Sequence, residues 1–177
     1  MRIKIKQEQW TQARQIGEKR QQLEKQGIWT QGWNGRTTET EAVGVLGELL
    51  ICDLFNYTPD FVYGQQDKQD LIIDNKTVDV KTSLQKDPYP VFNYHMLVHK
   101  YQKPKQLYIF VLIEKHKLFA QVKGYCDRET LEEYSTTWMF KNCELYKLEN
   151  KYLKEIEKLL KKGRGGCISC GTHNWMG

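Results

Sequence analysis

The sequence has no long apolar run: its longest, Leu107–Ile113, is seven residues. A helix needs about 20 such residues to cross a bilayer, so no membrane span is expected. Cysteine is sparse, five in 177 residues, and Cys52, Cys126 and Cys143 stand singly. That argues against a secreted disulfide framework. The opening Met1-Arg2-Ile3-Lys4-Ile5-Lys6 carries charges where a signal peptide needs an apolar stretch, so a cytoplasmic protein is expected. Proline is limited to four residues, two of them in the chain-breaking Asp87-Pro88-Tyr89-Pro90. Internal repeats are lacking, and so is a strong charge excess. Lys and Arg number 27 against 22 Asp and Glu, for a net charge of +5 and a pI near 8.8. This balance suits a polyanionic partner without demanding one.

What is present suffices for a core. Hydrophobic residues make up 40% of the chain, which excludes wholesale disorder. The length fits one domain with a small appendage. Residues 7–26 place Trp10, Ala13, Ile16 and Leu23 at helical spacing, with Gly27 as a stop. Residues 1–26 hold seven basic and three acidic side chains, and so most of the net charge. After a loop at 31–36, residues 41–55 form a helix with a wide apolar face, which Thr38 or Thr40 can cap. Its Gly44 and Gly47 lower helix propensity, which suggests close packing against a neighbour. Phe61–Tyr63 is a short strand candidate, Leu107–Ile113 a strand buried on both faces, and Leu118–Tyr125 its partner. Short helices are expected over 128–134 and 151–162, the latter amphipathic through Tyr152, Leu153, Ile156, Leu159 and Leu160. The chain thus divides into a basic N-terminal helical arm and loop (1–36), a core (37–162) and a Gly- and Cys-rich tail (163–177). The fold class is α/β, a central mixed sheet flanked by helices.

The segment Asp70–Thr82 reads as a β-hairpin turning at Asn75-Lys76. That register pairs Ile73 with Val78, Leu71 with Val80 and Asp70 with Lys81. Side chains alternate along a strand. Leu71, Ile73, Val78 and Val80 therefore share one face, while Asp70, Asp79 and Lys81 share the other. Two neighbouring carboxylates repel, and a hard divalent cation relieves the repulsion. A lysine beside such a cation can orient a water and offset charge building on a phosphate. The plainer alternative is an Asp70–Lys81 cross-strand ion pair on a solvated sheet face, with Asp79 and Glu48 as incidental surface acids.

At these residues the sequence resembles the PD-(D/E)XK nuclease superfamily. Asp70 stands as the first acid, after Gln69 rather than proline, and Asp79-Val80-Lys81 as the (D/E)xK element. Gly44-Val45-Leu46-Gly47-Glu48 is similar to the first-helix glutamate of the resolvase-like branch. The resemblance covers residues 41–85 and implies a restriction-endonuclease-like core and a Mg²⁺-dependent endonuclease acting on DNA, with Mn²⁺ able to substitute. By resemblance Glu48, Asp70, Asp79 and Lys81 are the catalytic set. Asp70, Asp79, Glu48 and the Val80 carbonyl would hold the metal. Double-stranded or branched DNA, including Holliday junctions, is the implied partner, and cutting both strands implies a homodimer. A non-catalytic nucleic-acid-binding module on a decayed nuclease fold is the alternative.

Ser83 and Gln85 continue the Lys81 face and are candidates to touch nucleic acid, as are Asn34 and Arg36, beside Trp33, in the loop before the helix. Lys100 lies among His95, His99, Tyr94, Tyr101 and Lys103, a mix suited to phosphate and base contacts. The same stretch also reads as an aromatic loop packed on the sheet. His95 and His99 are four apart and, on a helix, within reach of one metal. Cys167, Cys170 and His173 form half of a structural zinc site, and a tail with two ordinary thiols explains them equally.

Overall fold

The computed structural model describes residues 1–26, 37–58, 70–86, 94–114, 116–140 and 143–163. Strand β1 (Arg2–Lys4) leads into helix α1 (Gln7–Lys25), and helix α2 (Thr38–Phe55) follows. Strands β2 (Leu71–Ile73) and β3 (Lys76–Leu84) form the hairpin, and β4 (Met96–His99), β5 (Leu107–Ile113) and β6 (Phe119–Asp127) come next. Helix α3 (Arg128–Tyr134), strands β7 (Thr136–Phe140) and β8 (Cys143–Leu148) and helix α4 (Ile156–Gly163) complete the described chain. Among the described residues no helix is long and apolar enough to cross a membrane.

The architecture is α/β. A mixed five-stranded sheet has the order β1-β6-β5-β3-β2, and a three-stranded sheet the order β4-β8-β7. β3 and β5 run parallel, and the other pairs are antiparallel. Every residue of β5 is buried, as its unbroken apolar run predicts. Its odd residues Leu107, Ile109, Val111 and Ile113 join Val78, Val80 and the buried faces of α1 and α2. Its even residues Tyr108 and Phe110 meet Met96, Val98, Leu148 and Leu131 from the other side. The helix pair thus covers one face of β5, and the small sheet with α3 covers the other.

The N-terminal segment is not a detached arm. β1 pairs with β6, and Ile5, Trp10, Ala13 and Ile16 are buried in the core. Helix α1 lies along α2, tied by Gln9 Nε2 donating to Asp53 Oδ2 (2.7 Å) and Thr38 Oγ1 donating to Gln21 Oε1 (2.6 Å). Gly17 sits at the crossing, where a Cβ would lie 3.0 Å from the Ala42 nitrogen and 3.3 Å from the Glu41 Cβ. The N-cap of α2 is Thr37, whose side chain accepts from the Thr40 N–H, rather than Thr38 or Thr40. Asn56 ends the helix in the left-handed conformation (φ 56°), as a short amide side chain permits.

Two further elements differ from expectation. The helix expected over 151–162 starts at Ile156. Residues 150–152 form a 3-10 turn, and Lys154 bonds to Tyr125 in both directions (2.7 and 2.9 Å). Gly124, at φ 143°, permits that approach, since a Cβ there would lie 2.5 Å from the Lys154 carbonyl oxygen. His95 precedes strand β4 and His99 ends it, so neither lies on a helix. At about 3.3 Å per residue, four positions along a strand put their α-carbons about 13 Å apart. The Phe61–Tyr63 strand lies outside the described residues.

Candidate functional site

The hairpin turns one residue earlier than its sequence suggests. Asp74 and Asn75, at φ 50° and 58°, are the central turn residues, and Leu71 pairs with Val78. Positive φ at both positions is the requirement of a type I′ turn, which Asn and Asp tolerate and Lys76 does not favour. A one-residue shift of the turn moves the pairing by two, so the apolar face survives: Leu71, Ile73, Val78 and Val80 are all buried. The partner of Asp70 changes, however. Carried one residue beyond Leu71–Val78, the ladder sets Asp70 opposite Asp79, two carboxylates where the sequence register has Asp70 opposite Lys81.

β2 is short and ends where β3 continues, so among the described residues no strand pairs with this edge of β3 from Asp79 onward. Asp70 turns back over that edge: its Oδ2 accepts a hydrogen bond from the Val80 N–H at 2.5 Å. A residue's N–H and C=O lie on the same side of a strand, so the Val80 carbonyl faces the same edge. Asp79 is buried and reaches Lys81 Nζ, two residues along its own strand, at 2.7 Å. The cross-strand Asp70–Lys81 pair on a solvated face is therefore not what forms. Gln102, just after β4, bridges the pair: its Oε1 accepts from Lys81 Nζ (2.9 Å) and its Nε2 donates to Asp79 Oδ2 (3.1 Å).

Glu48 comes to this edge on α2. Gly47 lets the helix close on β3, because a Cβ there would overlap Thr82 Oγ1 and meet Thr82 Cβ and Cγ2 at 3.0 Å. Gly44 has no such role, since its Cβ direction meets nothing within 4 Å among the described residues. The Glu48 carboxylate is gripped by Arg20 of α1, Nη1 to Oε1 at 3.3 Å and Nη2 to Oε2 at 3.1 Å. Both side chains are only 14% exposed.

The electrostatics follow from this crowding. Burial pushes the Asp70 carboxyl well above the usual carboxylate range, with the Glu48 and Asp79 charges adding to the shift against the Val80 N–H. Burial also raises Glu48, outweighing Arg20, and Asp79 and Glu41 add repulsion. Burial works against the Arg20 charge too, yet Glu48 more than compensates and leaves the guanidinium above its ordinary value. Glu48, Asp70, Asp79 and Lys81 therefore form one coupled cluster at the β3 edge, all oxygen donors but for the amine. Among the described residues no three His, Cys, Asp or Glu side chains stand close enough to hold a metal ion in this arrangement.

Arg20 and Gln102 were not singled out from the sequence. Arg20 is one of several polar residues in a Gln-, Lys- and Arg-rich helix, although its place one turn beyond Gly17, where α1 crosses α2, is a signal. Gln102 follows an aperiodic stretch and carries none.

Of the expected nucleic-acid contacts, Ser83 lies on β3 two residues beyond Lys81, half-buried on the same side. Gln85 follows the strand, its N–H donating to the Ile113 carbonyl at 2.9 Å. Lys100 is engaged by Glu144 at 3.2 Å and lies 6.0 Å from the Tyr146 ring centroid. Asn34, Arg36, Cys167, Cys170 and His173 lie outside the described residues. No family model matches the chain, and no curated protein is similar enough to it to count as a relative.

Proposed function

We propose that the protein is a Mg²⁺-dependent endonuclease that hydrolyses phosphodiester bonds in DNA, on a restriction-endonuclease-like core. The observation that carries this reading is the convergence of Glu48, Asp70, Asp79 and Lys81, from a helix and both arms of a hairpin, on one edge of β3. A solvated sheet face gains nothing from placing two carboxylates opposite one another with a third close by, an arrangement that leaves Asp70 well above the usual carboxylate range. A hard cation relieves that repulsion, and the donor set suits Mg²⁺: carboxylate oxygens and one main-chain carbonyl.

Asp70, Asp79, Glu48 and the Val80 carbonyl would hold Mg²⁺, which would supply Lewis acidity and a bound water more acidic than bulk water. Asp70 is fixed by the Val80 N–H, and Asp79 by Gln102 and Lys81. Lys81 stands beside Asp79, able to orient the attacking water and to face charge gathering on the scissile phosphate. Gln102 holds the lysine by its Nζ. Ser83 and Gln85, next along β3, extend the same edge toward substrate, with Lys100, Asn34 and Arg36 as further candidate contacts. Cleavage of both strands calls for two sites, hence a homodimer, and branched junctions are a substrate worth equal trial. The C-terminal Cys167, Cys170 and His173 remain candidates for Zn²⁺.

Nicking and linearisation of supercoiled plasmid at low salt in Mg²⁺ or Mn²⁺ tests the reading, with Asp79→Ala and Lys81→Ala beside the wild type. Cleavage lost in both variants supports it, whereas equal cleavage by all three places the activity elsewhere. Metal-independent DNA binding without cleavage of plasmid or branched substrates points instead to a binding module.

A further inference from the structure

We propose that Arg20 and a divalent cation compete for Glu48, the guanidinium acting as a latch that withholds this carboxylate until metal displaces it. The inference rests on the metal-dependent reading above and adds a residue and a step to it. Both Glu48 oxygens are taken up by the two terminal nitrogens of Arg20. The pair is not a loose surface contact: each side chain is 14% exposed, against 56% for Arg2 in its pair with Glu114. The backbone behind it is held as well, with Gly17 in contact with α2 and the Gln9–Asp53 and Thr38–Gln21 bonds on either side.

The chain supplies cations of its own to this cluster. Glu48 feels the charges of Glu41 and Asp79, Asp70 those of Glu48 and Asp79, and Arg20 and Lys81 answer them. A forked guanidinium takes one in-plane lone pair on each carboxylate oxygen, the pair on the side a bidentate cation would use. A cation ligated at the same oxygens would face a like charge in a pocket shielded from water, where repulsion is strong. Arg20 pairing and metal ligation at Glu48 therefore oppose one another. The arrangement seen, with Glu48 on Arg20 and Asp79 on Lys81, is the latched state.

Calorimetric titration of Mn²⁺ at pH 8 into wild type, Arg20→Gln, Glu48→Gln and the double variant tests the latch. Arg20→Gln is expected to bind Mn²⁺ at least ten-fold more tightly than wild type. With Glu48→Gln in place there is nothing to withhold, and the same change is expected to alter affinity by less than two-fold. Should Arg20→Gln fail to fold, Arg20→Lys decides, since it keeps the charge, loses the fork and is expected to bind about three-fold more tightly than wild type. Unchanged or weaker binding in the Arg20 variants overturns the latch and leaves the nuclease reading standing. So does a ten-fold gain that persists with Glu48→Gln, which would mark a bulk charge effect. Mn²⁺ binding to none of the proteins sinks the metal reading and the latch together.

Discussion

Replacing Gly47 by Ala asks for a methyl group where Thr82 already stands. The new Cβ would overlap Thr82 Oγ1 and press on Cβ and Cγ2 at 3.0 Å. Neither side yields easily, because threonine is stiff at χ1 and β3 is held in register against β5 from Val78 to Leu84. Ala for Gly gains about 1 kcal/mol of helix propensity, while overpacking a close contact costs about 1–3 kcal/mol. With both partners rigid the upper part of that range applies, for a net loss of about 1–2 kcal/mol. Gly44 is the internal control: one turn earlier on the same helix, with nothing within 4 Å of its Cβ direction among the described residues, its change to Ala should stabilise by about 1 kcal/mol. The two variants should differ by about 2–3 kcal/mol, a urea-midpoint separation on the order of 1 M for a typical slope. Thr82→Ala in the Gly47→Ala background should recover much of the loss, since Thr82 Oγ1 is buried without a hydrogen-bond partner among the described residues. Urea unfolding followed by tryptophan fluorescence reads all four proteins. A Gly47→Ala midpoint at or above wild type would refute the claim that this glycine lets α2 close on the strand carrying Asp79 and Lys81.

Other consequences follow from the same geometry. Asp70→Asn keeps an acceptor for the Val80 N–H but removes a charge held at unfavourable pKa. Because the folded-state pKa is raised, the penalty acts above it and fades as pH falls through it. The variant should therefore melt higher than wild type at pH 8, with the gap closing in acid. Asp127 carries the opposite sign: burial works against its charge, but Lys154 and the Thr130 contacts hold the carboxyl at about 2. Its contribution is present above the ordinary value and lost as pH falls through about 2, so the wild-type advantage over Asp127→Asn should vanish across that range. Asp127→Ala, which also loses the α3 cap, should cost about 1 kcal/mol at pH 7. Burial pushes the Cys52 and Cys126 thiols up to about 12, so in native protein at pH 8 both should stay unlabelled by iodoacetamide, as read by peptide mass mapping. Mg²⁺ at ten times its Kd should stabilise the wild type by about 1.4 kcal/mol, and Asp79→Asn should abolish that gain in a thermal melt.

Much of the core was legible because its periodicities are strong. The seven apolar residues of β5, the wide apolar face of α2 and the alternation of the hairpin each fix which side chains face the core, and helix α3 falls where expected. The hairpin register was not legible, since choosing between Asp74-Asn75 and Asn75-Lys76 depends on which residues tolerate positive φ. The small sheet was missed for a different reason. β7, Thr136–Phe140, is exposed along most of its length, with Trp138 and Met139 open on alternate sides, so no alternation marks it. β1 is three residues long and forms through its pairing with β6, a contact more than 100 residues away in sequence. The site shows the same division. Asp70, Asp79 and Lys81 declare themselves by spacing along two adjacent strands. Arg20 and Gln102 reach them only through helix and loop packing that no local pattern encodes.

The central claim is that the β3 edge bearing Asp70, Asp79 and Lys81 is a metal-dependent phosphodiesterase site. The most direct measurement is plasmid cleavage in 10 mM Mg²⁺, a concentration on the order of ten times a millimolar Kd, by wild type, Asp79→Ala and Lys81→Ala purified alike. The account predicts nicked and linear products from wild type, none in EDTA, and rates about 10²–10³-fold lower in each variant. Variants that cut as fast as the wild type, or wild-type cleavage that survives EDTA, would contradict it.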